Sequence, residues 1–197
     1  MAVGADKVKA LREQTGVGIM ECKSALEETD GDIERAVELL RKRGIASAQK
    51  RAGRETKEGV VEAYIHAGSR LGVLVEVNCE TDFVAKTDDF KRFVRDIAMQ
   101  IAATNPRVVS REEFSKEEID KETEIYTTQA KNDGKPENII ERFVQGKLEK
   151  FYQESVLLEQ AFIKDPNKTI KDLLNEMIAK TGENINIRRF VRYQLGS

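Results

Sequence analysis

Apolar residues recur at three- and four-residue spacing through most of the chain and alternate with polar ones in three short stretches, so the pattern predicts helices around a small sheet. Val8 and Leu11 mark a first helix, which Thr15-Gly16-Val17-Gly18 breaks. A second covers about Ile19 to Glu28. Asp30-Gly31-Asp32 supplies a turn and an N-terminal cap for a third, whose stripe is Ile33, Ala36, Val37 and Leu40 and whose expected stop is Gly44. Residues 46–58 are small and basic, which suits a short helix running into a linker. The domain boundary is placed near residue 55.

Alternation then takes over. Val61, Ala63 and Ile65 alternate with Glu62, Tyr64 and His66; Ala67-Gly68-Ser69-Arg70 turns the chain; and Val73, Val75 and Val77 share one parity. After the corner Asn78-Cys79-Glu80-Thr81-Asp82-Phe83-Val84-Ala85, helical spacing returns with Phe90, Phe93, Val94, Ile97 and Ile101 over about Asp88 to Ala103. Two further helices, about Ser115–Asn132 and Glu137–Glu159, form an expected hairpin over about 115–160. A last helix carries Ile170, Leu173, Leu174 and Met177 and stops at Gly182. In the final strand Ile185, Ile187, Val191, Tyr193 and Leu195 share a parity, leaving Phe190 with Asn186, Arg188 and Arg192. The expected fold is α+β: a three-helix module like the ubiquitin-associated type over residues 1–55, then a core over 56–197 of about three antiparallel strands packed with helices.

Charge changes the picture by exclusion. The 197 residues hold 33 basic and 35 acidic side chains, a net charge of -2, so no overall field draws the chain to nucleic acid or an anionic membrane. The first residues lack an apolar signal core, and nowhere is there a run of about eighteen apolar residues. Cys22 and Cys79 form no Cys-x-x-Cys pair and suit free thiols of a reducing compartment. A cytoplasmic protein is expected, with no membrane and no direct nucleic-acid partner.

A search for chemistry returns little. Met20-Glu21-Cys22-Lys23-Ser24 has Cys22 where a phosphate loop needs glycine. Cys79 has the parity of the inward valines, His66 has no clustered ligands, and Glu80 with Asp82 is a commonplace acidic pair. No catalytic set, cofactor or metal site is expected, which favours a binding protein over an enzyme. Ile19, Met20 and Lys23 are contact candidates, against the plainer reading that the first two are core. At the corner two readings stand: Phe83 is a wedge for another macromolecule, or it is the hydrophobic staple of the following helix, and spacing alone favours the staple.

The longer motifs resemble the elongation factor Ts family over essentially the whole chain. They are Leu11-Arg12-Glu13-Gln14-Thr15-Gly16-Val17-Gly18-Ile19-Met20-Glu21-Cys22-Lys23, Gly31-Asp32-Ile33-Glu34, Glu76 through Ala85, and Gly182-Glu183-Asn184-Ile185-Asn186-Ile187-Arg188-Arg189. The resemblance implies guanine-nucleotide exchange on elongation factor Tu. Thr81, Asp82, Phe83 and Val84 then enter that partner beside its magnesium site, with Phe83 the wedge and Asp82 a polar contact. By position it also implies partner contacts at His66, Lys23, Arg51 and Gly182. The chain shows one core unit where longer members carry two, which implies a short form that homodimerises; the last strand, with Phe190 and Arg188, is the expected seam.

Overall fold

The computed structural model describes residues 3–196. Eight helices and two sheets are formed among them, and the fold is α+β as the pattern predicts. The elements are α1 (Ala5–Thr15), α2 (Ile19–Glu28), α3 (Ile33–Arg51), β1 (Glu58–Ile65), β2 (Leu71–Cys79), α4 (Asp82–Ala85), α5 (Asp88–Thr104), α6 (Lys116–Asn132), α7 (Glu137–Ser155), β3 (Ala161–Phe162), β4 (Asp165–Thr169), α8 (Ile170–Thr181) and β5 (Ile185–Gln194). Strands β1, β2 and β5 make an antiparallel sheet in that order, and β3 pairs with β4. Two compact units result: Met1–Val60 with Val77–Phe93 and Asp172–Asn186, and Val61–Glu76 with Val94–Lys171 and Ile187–Ser197.

In the first unit, α1 ends at Gly16, whose φ of 68° lets its N–H turn back to the Arg12 carbonyl at 2.8 Å. Helix α3 starts where the Asp32 carboxylate accepts the Arg35 N–H at 3.1 Å. Val8, Leu11, Cys22, Ala25, Leu26, Ala36 and Leu40 bury one stripe from each helix. Each large side chain among them contributes about 1.5–3 kcal/mol by leaving water.

Gly44 does not stop α3. The helix runs on to Arg51, absorbing the short helix expected beyond Gly44, because Gly44 meets α8: a Cβ on it would lie 3.4 Å from the Ala179 Cβ. Arg41 ties the same two helices, 2.9 Å from Asp172, and Lys180 reaches Asp89 at 2.7 Å. Phe90 and Phe93 of α5, with Val77 and Cys79 of β2, are buried in this unit.

The second unit is built around α5 and the hairpin of α6 and α7. Gln100 is fully buried and satisfied: its Nε2 donates to Gln160 Oε1 at 3.2 Å and to the Ala161 carbonyl at 3.1 Å, and its Oε1 accepts the Ile163 N–H at 2.9 Å. The base of the hairpin is an arginine and aromatic cluster. Arg111 donates to Glu149 at 2.7 and 3.0 Å and to Glu159 at 2.6 Å while lying 4.2 Å from the Tyr152 ring centre. The paired carboxylates raise the Arg111 pKa further, and the same contact holds the Glu149 carboxyl below its ordinary range.

Strand parity departs from expectation in two places. Val73, Val75, Val77 and Cys79 of β2 are buried, but Val61 and Ile65 of β1 face solvent. In β5, Ile185 and Ile187 are buried, Arg188 and Arg189 are both exposed, and Phe190 is half-buried while Val191 and Tyr193 are exposed. The expected single parity through β5 is therefore corrected: Phe190 stays with Arg192, but both are half-buried, and Val191 and Tyr193 do not share the burial of Ile185 and Ile187. The change of parity falls where both arginines turn to one carboxylate, Arg188 at 3.7 Å and Arg189 at 2.7 Å from Glu76.

Candidate functional site

Beyond Cys79 the chain leaves the sheet and enters α4 through Thr81, whose extended backbone (φ -127°, ψ 152°) makes it the N-cap. Its hydroxyl accepts the Val84 N–H at 3.3 Å. One turn of helix then sorts its side chains: Val84 and Ala85 pack inward, whereas Asp82 and Phe83 point out, Phe83 with 75% of its surface exposed. That exposure overturns the staple reading. The entry to α5 is fixed instead by Thr87, whose hydroxyl accepts the Phe90 N–H at 3.3 Å and donates to the Val84 carbonyl at 2.8 Å.

Asp82 pairs with Lys86 one turn on, at 2.5 Å. The hydrogen bond from Lys86 and its charge hold the Asp82 carboxyl below the usual carboxylate range, and the carboxylate raises the Lys86 ammonium in return. Both groups stay charged beside the exposed ring. Cys79 lies under the corner with its thiol 3.1 Å from the Thr81 carbonyl; burial, then the charge of Glu183, pushes its pKa up to about 11. A nucleophilic thiol needs the opposite shift.

Gly182, at φ 75°, ends α8 with its N–H on the Ile178 carbonyl at 2.9 Å, and the next residue, Glu183, reaches the corner at Thr81. Thr81, Asp82, Phe83, Val84 and Gly182 are thus one neighbourhood of the first unit. Lys23 is in the same unit, on α2, half exposed beside Glu27 at 3.8 Å, and the first turn of that helix exposes Ile19 and Met20. Arg51 is the last residue of α3, with its Nε buried and without a hydrogen-bond partner. In the second unit, His66 stands exposed at the end of β1, its Nδ1 3.0 Å from the Tyr64 hydroxyl, and Arg188 and Phe190 lie on β5.

Sequence reading missed Glu183, Glu80 and Asn184, which hold the corner. A glutamate after a helix-stopping glycine is too common a pattern to single out. Among the described residues no three His, Cys, Asp or Glu side chains are grouped as metal ligands, and no helix is long and apolar enough to cross a membrane.

A family model described as "Elongation factor TS" matches residues 45–197. The chain is 65% identical over 189 residues to an elongation factor Ts of Carboxydothermus hydrogenoformans, covering 96% of this chain and 87% of that one. It is 61% identical to the elongation factor Ts of Caldanaerobacter subterraneus subsp. tengcongensis (98% and 97% covered). With that of Syntrophobacter fumaroxidans the identity is 57% (100% and 98% covered). Translation elongation factors are the class these likenesses define. The chain belongs to the elongation factor Ts family.

Proposed function

We propose that this protein promotes guanine-nucleotide exchange on elongation factor Tu, acting as a binding factor and not as an enzyme, with no cofactor or metal of its own. The observation that carries the reading is Phe83, 75% exposed on a corner whose other apolar residues are buried. A large ring held in water has a cost that packing against a partner removes. Asp82, kept ionised by Lys86, gives that contact a register, and Thr81 and Val84 shape the corner from within.

The exchange follows from linkage. The factor binds a form of the GTPase whose magnesium and phosphate contacts are distorted, so each ligand weakens the other by the same factor. A thousandfold loss of GDP affinity corresponds to about 4 kcal/mol of coupling. GTP then refills the site and expels the factor. Lys23, Arg51, His66 and Gly182 supply further contacts to the same partner.

The working form is a cytoplasmic homodimer that touches neither nucleic acid nor membrane. Its support is the outer face of the sheet, where Val61, Ile65, Leu74, Val191, Tyr193 and Leu195 are exposed and a groove of about 310 Å³ opens beside Phe190. The seam runs along β5, with Arg188 and Phe190. Sedimentation with and without the partner measures the stoichiometry.

Stopped-flow release of labelled GDP from elongation factor Tu tests the function. Release is expected to accelerate with added protein, and release unchanged by it overturns the reading in favour of an adaptor without effect on nucleotide.

A further inference from the structure

A ring with 75% of its surface exposed has little packing to aim it. The direction of Phe83 then depends chiefly on its backbone, so what fixes the corner helps fix the wedge. Between the last residue of β2 and the first turn of α4, the N–H groups of Glu80 and Thr81 both fall to a single acceptor, Glu183 Oε2, at 3.1 and 3.0 Å. The other oxygen, Oε1, accepts the Thr81 hydroxyl at 2.6 Å. With its proton committed there, that hydroxyl turns a lone pair to the Val84 N–H and caps α4. The Thr81 carbonyl meanwhile accepts the Cys79 thiol at 3.1 Å and the Ala85 N–H at 3.3 Å. Every polar group of Thr81 is spoken for, three of the bonds involving groups held by one carboxylate or oriented by it.

The arrangement is reciprocal. Glu80 Oε1 accepts the Asn184 N–H at 2.5 Å and lies 3.4 Å from Arg54 Nη1, while Asn184 Nδ2 donates to the Arg54 carbonyl at 2.8 Å. A carboxylate on each segment thus accepts backbone N–H groups of the other. Glu183 is itself set by the end of α8: Gly182 turns the chain at φ 75°, and the Glu183 N–H donates to Thr181 Oγ1 at 3.3 Å. Hydrogen bonds to an ionised carboxylate are about twice as strong as neutral ones, which suits a clamp on otherwise exposed backbone.

We infer that Glu183 is the positioning residue for Phe83: it holds the backbone at Glu80 and Thr81 so that the ring is presented in one direction. The inference rests on the reading of Phe83 as the exchange wedge. Without the clamp the ring would sample several directions, and the apparent affinity for the partner would fall by the fraction of molecules still aimed correctly.

The test is a double-mutant cycle on GDP release, joined to amide hydrogen exchange in the free protein. Glu183→Ala is expected to slow release about tenfold when Phe83 is present and less than about twofold in the Phe83→Ala background, because the two changes then remove one function. Glu183→Gln keeps an oxygen for the two N–H groups and is expected to recover most of the rate, which guards against a mere failure of Glu183→Ala to fold. Amides of Glu80 and Thr81 are expected to exchange faster in Glu183→Ala and at the native rate in Phe83→Ala. Equal losses of release in both backgrounds, or unchanged amide exchange in Glu183→Ala, overturn the positioning role while leaving the wedge intact. A Phe83→Ala protein with native release but a Glu183-dependent amide pattern overturns the wedge reading instead, and the positioning role with it.

Discussion

Phe83 and Val84 are consecutive and face opposite ways, the first 75% exposed and the second 6%. Their substitutions are therefore expected to separate function from stability. Phe83→Ala should change unfolding free energy by less than about 0.5 kcal/mol, as surface changes do, and slow GDP release from the partner. Val84→Ala should cost about 2 kcal/mol by leaving a cavity. Urea unfolding with parallel release kinetics checks both.

Gly59 sits at φ 148° in β1, where an added Cβ would fall 2.2 Å from the Val77 carbonyl oxygen. No side chain can move aside there, since the obstacle is backbone. Gly59→Ala is expected to destabilise by about 3 kcal/mol or more, read as a lowered denaturant midpoint.

The Cys79 pKa is raised from an ordinary 9.0 to about 11. A group that holds its proton more tightly when folded gives stability that is fully present below 9.0 and fades as the pH rises toward 11. Denaturant midpoints of the native chain should accordingly fall across that window, and those of Cys79→Ala should fall less. At pH 8 iodoacetamide should label Cys79 far faster in the unfolded chain than in the native one, as mass spectrometry of the peptide will show.

At the base of the helical hairpin, Arg111 keeps Glu149 ionised below its ordinary 4.5. Such a depressed carboxyl contributes stability above the ordinary value that is lost as the pH falls through the lowered one. Both side chains are more than a third exposed, so screening limits the effect of Glu149→Gln to about 1 kcal/mol. Hydrogen exchange should report faster opening of α7 in that variant at neutral pH, with the difference from the native protein shrinking in acid.

Much of this architecture is legible in sequence because burial repeats with the period of each element. The stripe Phe90, Phe93, Val94, Ile97 and Ile101 is wholly buried, as its spacing predicts. Gly44 misleads because a helix stop and a close helix crossing call for the same residue, and only the partner, Ala179, tells them apart. Strand β5 misleads because parity counts residues, while Arg188 and Arg189 break the count to share Glu76. At the corner, spacing offered a staple, but with Thr87 as the cap of α5 the staple positions fall on Lys86 and Lys91, and Phe83 stays exposed. Residues 102 positions apart meet at Thr81 and Glu183, a distance no local pattern spans.

That separation gives the corner a place in time. Synthesis delivers the N-terminal residues first, and contacts between distant positions wait for the whole intervening loop to close. Phe83 emerges early, yet the carboxylate and the N–H that lock its turn belong to residues 183 and 184. If Phe83 is the wedge and Glu183 aims it, as proposed, a nascent chain carries an unaimed ring until its last helix, which ends at Thr181, has been made, and competence for a partner is expected to arrive late.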